Sequence, residues 1–189
     1  MPGKDPLARY HAKRDRARTP EPGGTTRRTS GRPVFVVQRH DATNLHFDFR
    51  LEIGGVLVSW SVPKGPSLDP ADKRLAIRTE DHPLDYADFE GQIPKGQYGG
   101  GTVVVWDTGT FDVLTEASAE QALAAGHLKV GLHGTKLTGA FSLLRRNSSD
   151  GREQWLMIKK DDEGADRRRK PATTQPESVL SGRTNEDLE

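Results

Sequence analysis

From Val34 onward the apolar residues fall into short runs: VFVVQR, HFDFRLE, VLVSWSV, LAIRTE, TVVVWD, GTFDVL, HLKVGLHG, GAFSLLRR and QWLMIKK. Each is of strand length and is bounded by Gly, Pro or Asp. Several alternate apolar and polar positions with a period of two, as a strand does when one face is buried. Successive runs stand close together, with breaks such as IGG at 53–55 and DTG at 107–109 that predict hairpins. The pattern predicts a mainly β fold, an antiparallel barrel or sandwich. One segment departs from it: Ala117 to Ala125 (ASAEQALAA) has helical composition and a glycine stop at Gly126.

The flanks read differently. Residues 1–33 mix charge with Pro, Gly and Thr, which predicts an extended arm with one helical turn near Leu7 to Arg18, and composition alone fits a disordered tail equally well. Residues 161–189 carry no periodic apolar face and read as a flexible tail or linker, with an RRRK cluster at 167–170 whose simplest reading is a solvated charge run. The expected organisation is therefore a basic arm at 1–33, one β domain at 34–160 and a tail at 161–189.

Composition narrows the classes. A chain of 189 residues has room for one domain and flanking segments. At 33% hydrophobic and 29% charged, it can bury a core only if its polar residues gather in the flanks and on one side of each strand. There is no cysteine, so disulfides, thiolate nucleophiles and Cys-based metal sites are excluded and any metal must be held by His and carboxylates. No apolar stretch approaches a membrane span and the N-terminus lacks a signal-peptide core, so a cytoplasmic protein is expected, with no membrane. The net charge of +1 conceals asymmetry: residues 1–33 carry nine Lys/Arg against three Asp/Glu, and residues 80–116 carry eight acids against one lysine.

The chemistry concentrates in QRHDATNLHFDFRLE, Gln38 to Glu52. On a strand, Phe47, Phe49 and Leu51 share one face while His46, Asp48 and Arg50 share the other, and His40 lies six residues before His46 across a turn-like DATN. Two imidazoles and a carboxylate suit Mn²⁺, Zn²⁺ or Fe²⁺ and leave positions open for water or substrate. Arg50 beside them adds a fork suited to phosphate. Taken alone, the stripe reads more readily as an exposed ion-paired face of a solvated sheet.

Three other elements stand out. RTEDHPLDYADFEG (78–91) holds His82, able to donate to a phosphate or a leaving group, with Tyr86 four residues on, although a histidine in such a polar stretch is ordinarily a surface residue. GQIPKGQYGGG (91–101) could offer backbone amides to an anion but reads better as tight turns. Trp60, Trp106 and Trp155 lie within apolar runs and are assigned to the core.

Taken together, KRD with TPEP in the arm, QRHDATNLHFDFRLE, WSVPKGPS, EDHPLDYADFEG, IPKGQYGGGTV and WLMIKK resemble the 3′-phosphoesterase domain of bacterial DNA ligase D, over residues 8–160. The resemblance implies a closed antiparallel β-barrel-like single domain with one or two short helices and an N-terminal arm. It implies a Mn²⁺ centre, open to other divalent transition metals, with His40, His46 and Asp48 as ligands. Arg50, His82 and Tyr86 are assigned to the scissile phosphate, and Arg14, Asp15 and Glu21 of the arm to completing the site; Gln38 and Lys64 fall in shared motifs as phosphate-contacting or supporting residues. The implied activity removes 3′ phosphates and 3′-terminal ribonucleosides from DNA or RNA/DNA primer–template ends during non-homologous end joining, in company with polymerase, ligase and Ku proteins. Two rivals remain on sequence alone: an Fe(II) oxygenase using the same ligand set, and a non-catalytic module docking DNA ends through the basic arm.

Overall fold

The computed structural model describes residues 5–24, 31–148 and 150–189. The expected strands form: β1 (Val34–Asp41), β2 (Leu45–Ile53), β3 (Val56–Val62), β4 (Arg74–His82), β5 (Gly91–Ile93), β6 (Gly101–Val113), β7 (His127–His133), β8 (Thr138–Arg146) and β9 (Gln154–Lys159). They pair in the order β1-β2-β3-β4-β9-β8-β7-β6, and β6 pairs back onto β1, so eight antiparallel strands close into a barrel with β5 as a short extra strand on β6. Closure removes the free edges that an open sheet of these apolar strands would present. Helices are few and short: α1 (Ala8–Ala12), α2 (Ala119–Ala125) and α3 (Pro171–Thr174). Among the described residues no helix is long and apolar enough to cross a membrane.

The period-two faces behave as their side chains dictate. Phe47, Phe49 and Leu51 enter the main core together with Trp60, Trp106 and Trp155, the three tryptophans fully buried. The opposite face of β1 to β3 is covered as well. There a second, smaller core of Tyr10, Val36, Leu57, Leu84, Tyr86 and Val105 forms where the N-terminal arm and a 3₁₀ turn at Leu84–Asp88 lie on the outside of the barrel. This cover places the polar stripe of β2 in a buried environment instead of open solvent.

The IGG break is a hairpin turn, with Gly54 and Gly55 both in the left-handed region and Ile53 paired to Val56. The DTG break is not: TVVVWD and GTFDVL are one continuous strand, β6. Gly109 serves close packing there, since a Cβ at that position would come within 2.0 Å of the His133 carbonyl oxygen on β7. The α2 segment is specified locally by a Ser118–Gln121 capping box and a left-handed Gly126.

Residues 161–189, expected to be a flexible tail, are laid against the barrel. The Trp106 indole N–H donates to the Gln175 carbonyl at 2.6 Å, and Val179 N–H donates to the Val105 carbonyl at 2.9 Å. Asn185, 1% exposed, donates to the carbonyls of Arg39 and Thr102 and accepts from the Arg39 guanidinium at 2.7 Å. The docking runs through backbone carbonyls and single side chains, so it leaves no amphipathic period in the sequence. Asn185→Ala strands these buried partners and is expected to lower the unfolding free energy by about 2 kcal/mol, measured by urea denaturation.

Candidate metal and phosphate site

Strand register brings the chemistry together. His40 on β1 lies directly opposite His46 on β2, Gln38 opposite Asp48 and Val36 opposite Arg50; Asp48 and Arg50 in turn face Ser61 and Ser59 of β3. Directly paired residues share a face, so these three pairs, six residues of β1 and β2, lie together on the outward face. His40 Nδ1 and His46 Nε2 stand 3.5 and 3.4 Å from Asp48 Oδ2, and one candidate ligand atom from each of the three residues lies within 4.8 Å of the others.

The remaining ring nitrogens settle the tautomers. His40 Nε2 lies 2.7 Å from the Gly99 carbonyl oxygen and His46 Nδ1 lies 2.9 Å from that of Asn44. A carbonyl can only accept, so both nitrogens carry hydrogen, and in the neutral rings the lone pairs point toward Asp48. The donor set therefore fits a divalent cation: two oriented imidazole nitrogens and a carboxylate oxygen. Burial pushes the Asp48 carboxyl up, but the charge of Arg50 first, and then the two imidazoles, which can donate to the carboxylate only in their doubly protonated form, outweigh it and hold the group well below the usual carboxylate range.

Arg50 is 3% exposed and fully engaged. Its Nε donates to Gln38 Oε1 at 2.8 Å, a terminal nitrogen donates to Ser59 Oγ at 2.9 Å, and the other reaches Asp48 Oδ2 at 3.5 Å. Gln38 is fixed in turn, its amide donating to the carbonyls of Tyr86 and Phe89. His82 reaches this cluster through a bulge. Ser59 pairs with Thr79 and Leu57 with His82, so β4 spends one residue more than β3, and two positions that regular alternation would put on opposite faces both turn to the site. His82 is 4% exposed, not the surface residue its polar stretch suggested.

The imidazole of His82 lies between two guanidiniums. Arg50 is 3.1 Å from Nδ1 and Arg14 is 3.4 Å from Nε2, while the Glu80 carbonyl oxygen lies 2.9 Å from Nδ1. Burial, then Arg50, then Arg14 hold its pKa well below the ordinary histidine value, so the ring is neutral. Arg14→Gln removes one of the two cations and is expected to raise that pKa, read from the pH titration of the His82 NMR signal. An unchanged value would mean that Arg14 has no electrostatic hold on the ring.

The arm closes the far side. Arg14 stacks over the Tyr10 ring at 3.8 Å, donates from Nε to Glu21 at 3.0 Å, and stands 3.5 Å from Glu80. The other Glu21 oxygen accepts from the Tyr86 hydroxyl, whose pKa is pushed well above the usual value by burial first and Glu21 second, so Tyr86 stays a neutral donor. Lys13 pairs with Glu80 at 2.9 Å. The result is a cavity of about 230 Å³ lined by the ligand trio, Arg50, His82, Tyr86, Arg14, Glu21, Glu80 and Tyr98.

Nine of the eleven residues singled out from the sequence converge here: His40, His46, Asp48, Arg50, His82, Tyr86, Arg14 and Glu21 on the cavity, with Gln38 behind Arg50. Asp15 and Lys64 do not. Asp15 is exposed and caps a turn of the arm, its side chain accepting from Ala17 N–H and pairing with Arg18 at 3.6 Å. Lys64 is exposed in the turn after β3. Lys13, Glu80 and Tyr98 were missed; Glu80 closes the strand run LAIRTE two residues before His82, and a strand continued to His82 would have put the two on one face. Residues 1–4 and 25–30 of the arm lie outside the described residues.

Comparison with known proteins shows what the chain is similar to. Residues 38–145 match the family model described as the DNA ligase D 3′-phosphoesterase domain. The chain is 50% identical over 188 residues to the multifunctional non-homologous end joining protein LigD of Pseudomonas aeruginosa, covering 97% of this chain and 22% of that protein. It is 46% identical over 156 residues to the LigD of Mycobacterium tuberculosis, covering 82% of this chain and 20% of that protein. Against the LigD of Mycolicibacterium smegmatis it is 39% identical over 167 residues, 86% of this chain and 21% of that protein. The chain thus spans about a fifth of the length of these relatives.

Proposed function

The chain belongs to the DNA ligase D 3′-phosphoesterase domain family, and we propose that it is a Mn²⁺-dependent hydrolase that removes 3′ phosphates and 3′-terminal ribonucleosides from primer–template ends during double-strand break repair. The observation that carries this reading is the convergence on Asp48 Oδ2 of His40, His46 and the Arg50 guanidinium, each within 3.5 Å. Such a set couples a cation site to a phosphate fork within one cavity.

His40, His46 and Asp48 would hold the metal, and the chemistry it supplies when bound is Lewis-acid polarisation of a phosphoryl oxygen. Arg50 is oriented by Gln38 and Ser59 so that it need not reorganise to meet the phosphate, which is the condition for strong electrostatic stabilisation. Arg14, tied to Glu21, approaches from the arm. Tyr86 donates a hydrogen bond and does not act as a base, because its proton is held. His82, neutral in the free site with its Nδ1 on the Glu80 carbonyl, donates to the phosphate or the leaving group from Nε2 only once it is protonated, a change favoured by the added negative charge of the substrate, which opposes the two guanidiniums. In this reading the barrel at 34–160 is the catalytic body and the arm within 1–33 completes it.

The test is a 5′-labelled primer–template ending in a 3′ phosphate or in one ribonucleotide, incubated with chelator, with Mn²⁺ and with Mg²⁺. Conversion of the ends to 3′ hydroxyls with Mn²⁺ and its absence with chelator are expected. Unaltered ends in Mn²⁺ overturn the reading.

A further inference from the structure

The RRRK cluster at 167–170 takes no part in the cavity, yet the fold does not leave it as an isolated charge run. His40 is one residue from the end of β1 and His46 one from the start of β2 at one rim of the barrel, and by the antiparallel order β3 ends at Val62, β4 begins at Arg74 and β9 ends at Lys159 on that same rim. The β3–β4 connection and the segment after β9 therefore emerge side by side next to the ligand trio. They are fastened to each other. Asp166 N–H donates to the Leu68 carbonyl at 2.9 Å, and Arg167 stands 3.9 Å from Asp69. The Asp166 side chain accepts from Arg168 N–H and Arg169 N–H, shaping the turn that presents the cluster. Gly65 (φ +76), next to Lys64, sits so close to Ala172 that a Cβ would meet that methyl at 2.9 Å.

Lys64, Arg167, Arg168 and Lys170 are all exposed on this rim. Lys170 and Lys64 both help to lower the Asp72 carboxyl, after its hydrogen bond from Ser67 and the charge of Arg74, which brings the two lysines of separate segments to one neighbourhood. These exposed cations stand on a turn that Asp69, Asp72 and Asp166 hold in shape, and they offer charge to a nucleic-acid backbone while carrying no means of reading bases.

We propose that this rim anchors the duplex behind the 3′ end, with Lys64, Arg167, Arg168 and Lys170 contacting backbone phosphates. The inference deepens the phosphoesterase reading and rests on it for which end of the duplex enters the cavity. None of the three cluster residues touches the cavity, so their work is positioning, expressed in affinity and not in the chemical step.

The test uses the full chain carrying Arg167→Gln, Arg168→Gln and Lys170→Gln together, and a 3′-phosphorylated primer–template. Kd is measured across a range of salt concentrations, with KM and kcat for phosphate release. Loss of three phosphate contacts reduces the slope of log Kd against log salt by roughly two to three. KM rises at least about tenfold at moderate salt while kcat at saturation stays within about twofold, the signature of lost uniform binding. Arg146→Gln with Arg152→Gln, at the end of β8 and on the β8–β9 connection at the opposite rim, is the control and leaves the slope unchanged. A triple variant with the wild-type slope and Kd overturns the proposal, as does a control pair that loses as much. If the wild-type chain releases no phosphate but the triple variant still loses slope, the surface stands and the phosphoesterase reading falls. If the wild type releases phosphate and the triple variant binds as it does, the surface falls alone.

Discussion

Asp48→Asn is expected to reduce 3′-phosphate release by roughly a thousandfold, because the Lewis-acid contribution it supports amounts to several kcal/mol of charge stabilisation. The amide keeps the shape of the carboxylate but not its charge, and Asp48 Oδ2 is the single atom approached by both imidazoles and by Arg50. Manganese affinity, followed by calorimetry or by the paramagnetic broadening of the His40 and His46 signals, falls in parallel. The strand pairing of Asp48 with Gln38 and Ser61 is backbone-based and persists, so far-ultraviolet circular dichroism stays that of the wild type. Full activity in a folded Asp48→Asn chain would remove the ligand trio from the mechanism.

Arg50 is the second centre of large effect, and its two substitutions separate what it does. Arg50→Ala leaves Gln38 Oε1 without its donor, Asp48 without its guanidinium and Ser59 without a partner at 2.9 Å, all in a buried setting. Asp48 keeps both imidazoles and Ser59 its own bond to the Leu57 carbonyl, so the loss of three buried polar contacts is expected to cost about 2–4 kcal/mol of stability, read as a lower denaturation midpoint. Activity falls by on the order of a hundred- to a thousandfold, the cost of removing a preorganised donor to a developing phosphate charge. Arg50→Lys keeps the charge and recovers much of the stability, but an ammonium cannot donate along the three fixed directions that meet Gln38, Ser59 and Asp48. Its activity therefore stays depressed well below what its stability would suggest. A lysine variant with wild-type turnover would reduce Arg50 to a structural cation.

These two residues also show how far the chain could be read unaided. Phe47, Phe49 and Leu51 against His46, Asp48 and Arg50 is a local property of one strand: backbone geometry alone alternates side chains, so the division into an apolar and a chemical face is legible in nine consecutive residues. The hairpin glycines at 54 and 55 and the Ser118 cap of α2 are equally local, since each is a conformational preference of its own residue. The same locality explains the misreading at 107–109, where Gly109 looks like a turn and is instead the point at which β7 presses onto β6.

Other parts of the site depend on partners far along the chain. His82 faces Arg50 only because β4 carries a bulge opposite β3, and no period in RTEDH announces it. The stripe on β2 is buried because the arm and the turn at Leu84–Asp88 cover it, which converts what would be a solvated ion-paired strand into a low-dielectric site where Asp48, Arg50 and His82 act strongly on one another. Asp15 and Lys64, near functional residues in sequence, point elsewhere for the same reason in reverse. By itself the sequence determined the strands, the inward and outward faces of β2 and the residue types able to hold a metal and a phosphate, because those follow from local backbone geometry and side-chain chemistry. Only the tertiary structure decided which of those residues meet, which ring nitrogens face Asp48, and that the tail docks on the barrel, because register, bulges and cover are set by contacts between segments that the linear order keeps apart.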